Sequence, residues 1–194
     1  MSLPRYSETE IMNFISDKRG IDMIRKATAA DIDAVAEIYL NIHEQERLGR
    51  IHTGWLPDIY PLNSTAETAL NRDDLFVYEN GGKILATAII NQTQVDVYAD
   101  CNWNYPAADS EVMVLHTLAV DPSAIKNGIG REFVGYYENY ARKAGCTVLR
   151  MDTNAKNTVA RSFYKKLGYI ETAIVPCVFN GIPDVQLVLL EKKL

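Results

Sequence analysis

Residues 114–131 read VLHTLAVDPSAIKNGIGR, and this stretch decides the fold. Its first part belongs to an apolar run, Glu111 to Val120, broken by the polar pair His116 and Thr117. Such a run suits a strand buried on both faces, at the centre of a sheet covered by helices. Asp121-Pro122 ends it, because proline has no N–H to give to a ladder. Lys126-Asn127-Gly128-Ile129-Gly130-Arg131 then leads into an amphipathic helix. Strand, glycine-bearing loop and helix start, in that order, aim several backbone N–H groups at one place. The helix end adds roughly half a positive charge. Together they suit a phosphate or pyrophosphate.

Two common phosphate binders do not fit. A nucleotide P-loop ends in Gly-Lys followed by Ser or Thr, whereas Gly130 is followed by Arg131 and Glu132. A dinucleotide fingerprint needs a third small residue three positions after Gly130. Phe133 stands there, and no early βαβ unit precedes it. A lone Gly-x-Gly is also compatible with a plain flexible helix entry.

The surroundings narrow the choice. Leu118-Ala119-Val120-Asp121-Pro122, the glycine loop, and then Asn157-x-x-Ala160-x-x-Phe163-Tyr164-x-x-x-Gly168-Tyr169 resemble the GCN5-related N-acetyltransferase (GNAT) family. The resemblance runs from about Asp22 to the C-terminus. It implies that acetyl-CoA is the cosubstrate, and that Leu118, Ala119, Val120, Lys126, Asn127, Gly128, Ile129, Gly130 and Arg131 form its pyrophosphate site. It also implies that Asn157 and Phe163 contact the cofactor and that Tyr164 lies beside the thioester sulfur. The family often has Gln or Arg three residues before the first loop glycine, where this chain has Ile125. That removes one side-chain donor, but the backbone cradle does not depend on it, and Lys126 and Arg131 still supply positive charge.

The composition sets limits. A chain of 194 residues suits one domain with a sizeable core. A net charge of −5 argues against a general nucleic-acid binder. No apolar run approaches the roughly 20 residues that span a bilayer, so no membrane partner is expected. No charged-then-apolar leader opens the sequence. Cys101, Cys146 and Cys177 are odd in number and contain no C-x-x-C pair, so neither a disulfide framework nor a metal site is expected. Free thiols suit a reducing, cytoplasmic setting.

Residues 1–20 read as an appended helix outside the resemblance, with Ser7-Glu8-Thr9-Glu10 at capping-box spacing and Gly20 at the exit. Its apolar face needs the domain or a second subunit, which leaves a homodimer open. Residues 21–194 read as one domain. Asp22 to Ala27 is a strand. Ile32, Val35, Ile38, Tyr39 and Ile42 mark a helix running to about Arg47, with His43 expected at its surface. A helix from Ser64 to about Asn71 follows. Leu75–Tyr78 and Lys83–Asn91 are strands joined by the hairpin signal Asn80-Gly81-Gly82. Gln92 to Ser110 is a long polar and aromatic connection.

Beyond the glycine loop, a helix closes at Gly145. A strand over Thr147–Asp152 and a helix over Asn157–Leu167 come next. Strands at Tyr169–Val175 and Val185–Leu190 end the chain, joined across Asn180-Gly181-Ile182-Pro183. The class is α/β (α+β), with a central mixed sheet of six or seven strands flanked by helices. The resemblance adds that the sheet is mostly antiparallel, that it splays between its fourth and fifth strands, and that the pantetheine arm lies in the gap.

Acetyl transfer to an amine makes three demands. A lysine-like amine has a pKa of about 10.4, so losing its proton near pH 7 costs roughly 4–5 kcal/mol. His116, on the central strand, is the first candidate to take that proton, since its ordinary pKa of about 6.5 suits neutral pH. It is equally a common type of core histidine. Glu111, at the strand's start, is the reserve base or simply a solvated strand end. The oxyanion needs a donor, for which the resemblance implies a backbone N–H near Leu118 or Val120. The departing thiolate benefits from an acid, and Tyr164 is the candidate. Asn157 suits a helix N-cap as well as a cofactor contact.

His52, Trp55, Asp58, Tyr60, Trp103 and Tyr105 are candidates for the acceptor wall, because aromatic faces and a carboxylate suit a cationic amine. Such residues also anchor loops onto cores. The expected reaction is direct transfer to a primary amine, a small molecule first and a protein N-terminus or lysine second. A coenzyme-A-binding module without turnover is the rival from another class.

Overall fold

The computed structural model describes residues 23–194; the appended helix expected over 1–20 lies outside them. In chain order the described elements are β1 (Met23–Lys26), α1 (Ile32–Arg47), α2 (Asn63–Asn71), β2 (Leu75–Asn80), β3 (Lys83–Asn91), β4 (Val112–Val120), α3 (Ile129–Lys143), β5 (Val148–Asn154), α4 (Thr158–Lys166), β6 (Ile170–Phe179) and β7 (Ile182–Lys193). The strands form one sheet in the order β1-β2-β3-β4-β5-β7-β6. Every neighbouring pair is antiparallel except β4 and β5.

The apolar run at β4 takes the sheet's centre because both of its faces are covered. Met113 and Leu115 pack under α3 with Phe133, Tyr137 and Leu149. Val112 and Val114 face the other way, against Tyr98, Val148 and Leu189. α1 and α2 cover β2 and β3, with Val35, Ile38, Tyr39, Ala66 and Ala69 buried on Leu75, Val77 and Ile89. His43, expected at the surface, is 6% exposed instead. Its Nε2 lies 3.0 Å from the Pro61 carbonyl, because the loop after α1 folds back over it.

β4 and β5 pair only from Val112–Leu115 to Val148–Met151. Beyond that point β5 stays on β7 through Asn154, while β4 stays on β3. The two central strands therefore part after four residues, which matches the expected splay. Tyr137 braces the paired part: its hydroxyl lies 2.7 Å from Met113 O on β4 and 3.1 Å from Arg150 O on β5.

Among the described residues no α-helix covers the sheet over β5 and β7 on the side of Val112. The connection 92–111 does so, and two buried charges hold it. Arg150, 5% exposed, lies with its guanidinium 4.1 Å from the Trp103 ring centroid and donates to Gln94. Glu191, 0% exposed, accepts from Asn104 N at 2.6 Å, Asn104 Nδ2 at 2.7 Å, Thr172 Oγ1 at 3.1 Å and Tyr105 N at 3.2 Å. Three of these donors meet Oε1, so a Glu191→Gln variant keeps them and sets an NH2 group against the Tyr105 amide. One bond to a charged group is lost, worth about 1.5 kcal/mol. Urea unfolding should show that decrease in stability with an unchanged m-value.

The last hairpin is longer than the sequence suggested. Asn180 and Gly181 both have positive φ, 51° and 80°, and close it as a two-residue turn. β7 starts at Ile182 and runs through Pro183, which had read as loop. The strand tolerates the proline because Pro183 and Asp184 bulge opposite the single residue Val178, outside the ladder.

Candidate active site

β4 is kinked where it leaves β5. Thr87 pairs with Ala119 and Ile89 pairs with His116, so Thr117 and Leu118 stand opposite Ala88 alone. This is a β-bulge. Thr117 sits at φ +50° in it, a conformation that is costly for a β-branched residue, on the order of 1–3 kcal/mol. Its hydroxyl is held by the Tyr60 hydroxyl from the loop after α1. The bulge leaves backbone around Leu118 outside the ladder, facing the gap between β4 and β5.

A cavity of about 540 Å³ occupies that gap. Its wall includes Trp55, Tyr60, Asn91, His116, Thr117, Leu118, Asp152, Asn157 and Tyr164. Sequence reasoning had named Trp55, Tyr60, His116, Leu118, Asn157 and Tyr164, and the fold brings those six together. Five other candidates stand elsewhere, and of these Asp58 and Tyr105 are absent from the wall. Glu111 is exposed, and its carboxylate accepts from the Ala108 amide at 3.0 Å. Trp103 lies under the connection, its Nε1 donating to Tyr98 O at 3.1 Å. His52 is exposed and forms no part of the wall.

His116 is held in one tautomer. Asn91 Nδ2 donates to Asp74 Oδ2 at 2.7 Å, which turns Asn91 Oδ1 toward the imidazole. His116 Nε2 lies 3.2 Å from that oxygen and 3.1 Å from Thr93 O. Both are acceptors, so Nε2 carries the hydrogen and Nδ1 keeps the lone pair. Burial lowers the His116 pKa to about 4, against a smaller upward pull from the Thr93 carbonyl. The ring is therefore neutral at pH 7.

Asp152 was missed by the sequence reading. It follows Met151, the last β5 residue paired to β4, and what surface it keeps faces the cavity. Desolvation raises its carboxyl to about 6, and a hydrogen bond from the Tyr98 hydroxyl at 2.7 Å pulls back only in part. Two signals were available. Leu149 and Met151 alternate with Arg150 and Asp152, which sets the polar pair on one face. Ligands in open α/β sheets also gather beyond the carboxyl ends of strands.

Two tyrosines flank this carboxylate. Burial pushes Tyr60 up to about 12, and the Asp152 charge adds to the effect. Tyr164 is 8% exposed and packs against Phe163 and Tyr169, and burial first, then Asp152, raises its phenol well above the ordinary value. Among the described residues the Tyr164 hydroxyl has no hydrogen-bond partner. Asn157 caps α4, its Oδ1 accepting from Ala160 N at 3.0 Å, and its Nδ2 remains for another partner.

The glycine loop has the geometry its residues suggested. Gly128, at φ +85°, is the N-cap of α3. Arg131 N and Glu132 N turn back to Gly128 O, while the amides of Gly128, Ile129 and Gly130 meet no protein acceptor among the described residues. A Cβ on Gly130 would stand 3.5 Å from the Phe163 ring and 4.0 Å from Val120. The loop, the end of β4 and the face of α4 thus converge at one end of the gap.

A seven-stranded sheet whose central parallel pair parts over a cavity, with free amides at a helix start beside it, defines an acyltransferase-like α/β architecture. The acetyltransferase (GNAT) family model matches residues 35–169, and the chain belongs to that family. An uncharacterized N-acetyltransferase of Methanocaldococcus jannaschii is 27% identical over 160 residues, a match spanning 78% of this chain and 62% of that protein. Two solved structures share the fold. A ribosomal-protein-alanine N-acetyltransferase from Brucella melitensis has a TM-score of 0.65 at 20% identity, with 89% of this chain and 99% of that one covered. The yncA protein of Salmonella typhimurium, solved with its cofactor acetyl-CoA, has a TM-score of 0.63 at 18% identity, with 89% and 93% covered. No helix among the described residues is long and apolar enough to cross a membrane.

Proposed function

We propose that the chain transfers the acetyl group of acetyl-CoA directly to the primary amine of a small molecule. The observation that carries this reading is Asp152, a largely covered carboxylate near Tyr164, whose hydroxyl is unpartnered among the described residues. Acetyl-CoA fits the residues present: three free amides at the start of α3 suit its pyrophosphate, and the parted edges of β4 and β5 suit the amide-bearing arm. It supplies a thioester carbon open to attack.

The chain's own residues then meet the three demands. Asp152 binds the ammonium and takes its proton as the nitrogen lone pair attacks. Burial raises the carboxyl and lowers an enclosed ammonium, so the two proton affinities approach each other. His116, neutral at Nδ1, serves as an acceptor that orients the amine rather than as the store for its proton. The Leu118 region of the bulge offers backbone N–H to the oxygen on which charge builds. Tyr164 donates to the sulfur as the C–S bond breaks, and the second proton of the attacking nitrogen leaves to the departing thiolate, giving amide and free thiol. Cys101, Cys146 and Cys177 are absent from the cavity wall, which favours direct transfer over an acetyl-cysteine.

Thiol release from acetyl-CoA, followed across a panel of amines from pH 6 to 9, tests the reading. Amine-dependent release is expected. Cofactor binding without such release at any pH in this range would leave a coenzyme-A-binding module.

A further inference from the structure

Two wall residues of the cavity carry formal charge: Asp152 on β5 and Arg72, the residue that ends α2. The rest of the polar wall is hydroxyl, amide, the Trp55 indole and the neutral His116 imidazole. On α2 the exposed stripe Ser64, Thr68 and Arg72 repeats every fourth residue and so lies along one helical face, with Thr65 beside it. Every polar side chain in that stripe can donate a hydrogen bond, and none is a carboxylate.

Arg72 is oriented without being used up. Its Nε donates to Asp74 Oδ2 at 2.8 Å and its Nη2 to Asp74 Oδ1 at 3.3 Å. Nη1 has no partner among the described residues, and the side chain is 50% exposed. A guanidinium pinned on one edge presents its other edge to a planar anion.

The cavity is also roofed. A Cβ on Gly54 would collide with the Asn154 side chain, so the loop after α1 lies directly on β5. Gly181, at the tip of the β6–β7 hairpin, approaches that loop so closely that a Cβ there would stand 3.1 Å from Ile59 Cγ2. Loop and hairpin meet over the gap. This leaves a partly covered cavity of about 540 Å³, within the range of small-molecule sites and open to solvent along the exposed α2 stripe.

We infer that the acceptor is a small zwitterion, an amine seated at Asp152 whose other end carries an anionic group, carboxylate or phosphonate, received by Arg72 and the α2 hydroxyls. This rests on the reading of Asp152 as the amine's seat. It also separates a free amino acid from a peptide N-terminus, because the peptide has a neutral amide where the amino acid has its carboxylate.

Matched acceptors test it. Each shares one carbon chain and one primary amine and ends in a carboxylate, a phosphonate, a neutral amide or a second amine. Thiol release should give the better of the two anionic members at least a tenfold higher kcat/KM than the amide, with the diamine lowest. The carboxylate and phosphonate arms identify the anion. Arg72→Gln should bring the anion-to-amide ratio near one, and Arg72→Lys should restore part of it. Thr68→Glu, at an exposed position, should invert the ratio and serves if the Arg72 variants fold poorly. A wild-type ratio near one, or a preference that survives both Arg72→Gln and Thr68→Glu, would overturn this inference and leave the acetyltransferase reading standing. Release with no amine at all would sink both.

Discussion

Asp152→Asn should slow acetyl transfer by about 10²- to 10⁴-fold in kcat/KM, the usual span for a lost general base, and should make the protein more stable at neutral pH. The second effect follows from the first group's environment. Desolvation holds the folded carboxyl at about 6, above the roughly 3.9 of an unfolded chain. Between those values the folded state keeps a proton that the unfolded state has released. Stability contributed by Asp152 is therefore full below about pH 4 and is lost as pH rises to about 6. At about 1.36 kcal/mol per pH unit the loss reaches roughly 2–3 kcal/mol above pH 6. An asparagine does not titrate, and its carbonyl can still accept from Tyr98. The stability gap between variant and wild type should widen by that amount from pH 4 to pH 7, read by urea unfolding at each pH.

The rate has the opposite sense. Wild-type kcat/KM should climb as pH rises through about 6 and then level off, because the ammonium needs an ionised carboxylate to bind. A limb near the His116 value of about 4 would instead assign the proton to the imidazole. An unchanged rate in the Asp152 variant would remove the carboxylate from the mechanism.

What was legible in the sequence is what local pattern controls. The apolar run at β4 and the amide-bearing start of α3 follow from local pattern, whereas the Asn157-to-Gly168 spacing of α4 took its meaning from the resemblance. The splay was legible only through resemblance, since no periodicity says that two strands stop pairing after four residues. The kink at Thr117 was hidden because a threonine announces no positive φ; the Tyr60 hydroxyl that meets its side chain comes from 57 residues away. His116 could be placed on its strand, but its proton affinity depends on burial and on Asn91, Asp74 and Thr93, which arrive from other segments. Asp152 was overlooked for a similar reason. An aspartate at a strand end is ordinarily solvated, and here the Tyr98 hydroxyl from the connection 92–111 covers it and leaves only a part-exposed edge toward the cavity.

Tyr164→Phe should lower kcat by about 10- to 150-fold while leaving acetyl-CoA affinity and stability nearly unchanged. The hydroxyl has no partner to lose among the described residues, and the ring keeps its contacts with Phe163 and Tyr169, so folding has little stake in it. The thioester sulfur is a weak acceptor in the ground state, so binding has little stake either. Only when the C–S bond breaks does the sulfur become an anion, and a hydrogen bond to a charged group is worth about 1.5–3 kcal/mol. Burial matters to this role: it pushes the phenol upward, which keeps Tyr164 protonated and ready to donate throughout the working pH range. The deficit should shrink with an acetyl thioester of a more acidic thiol, because that leaving group needs the donor less. A deficit that stays constant across leaving groups would place the hydroxyl's effect before C–S cleavage, and a kcat equal to wild type would leave Tyr164 as packing alone.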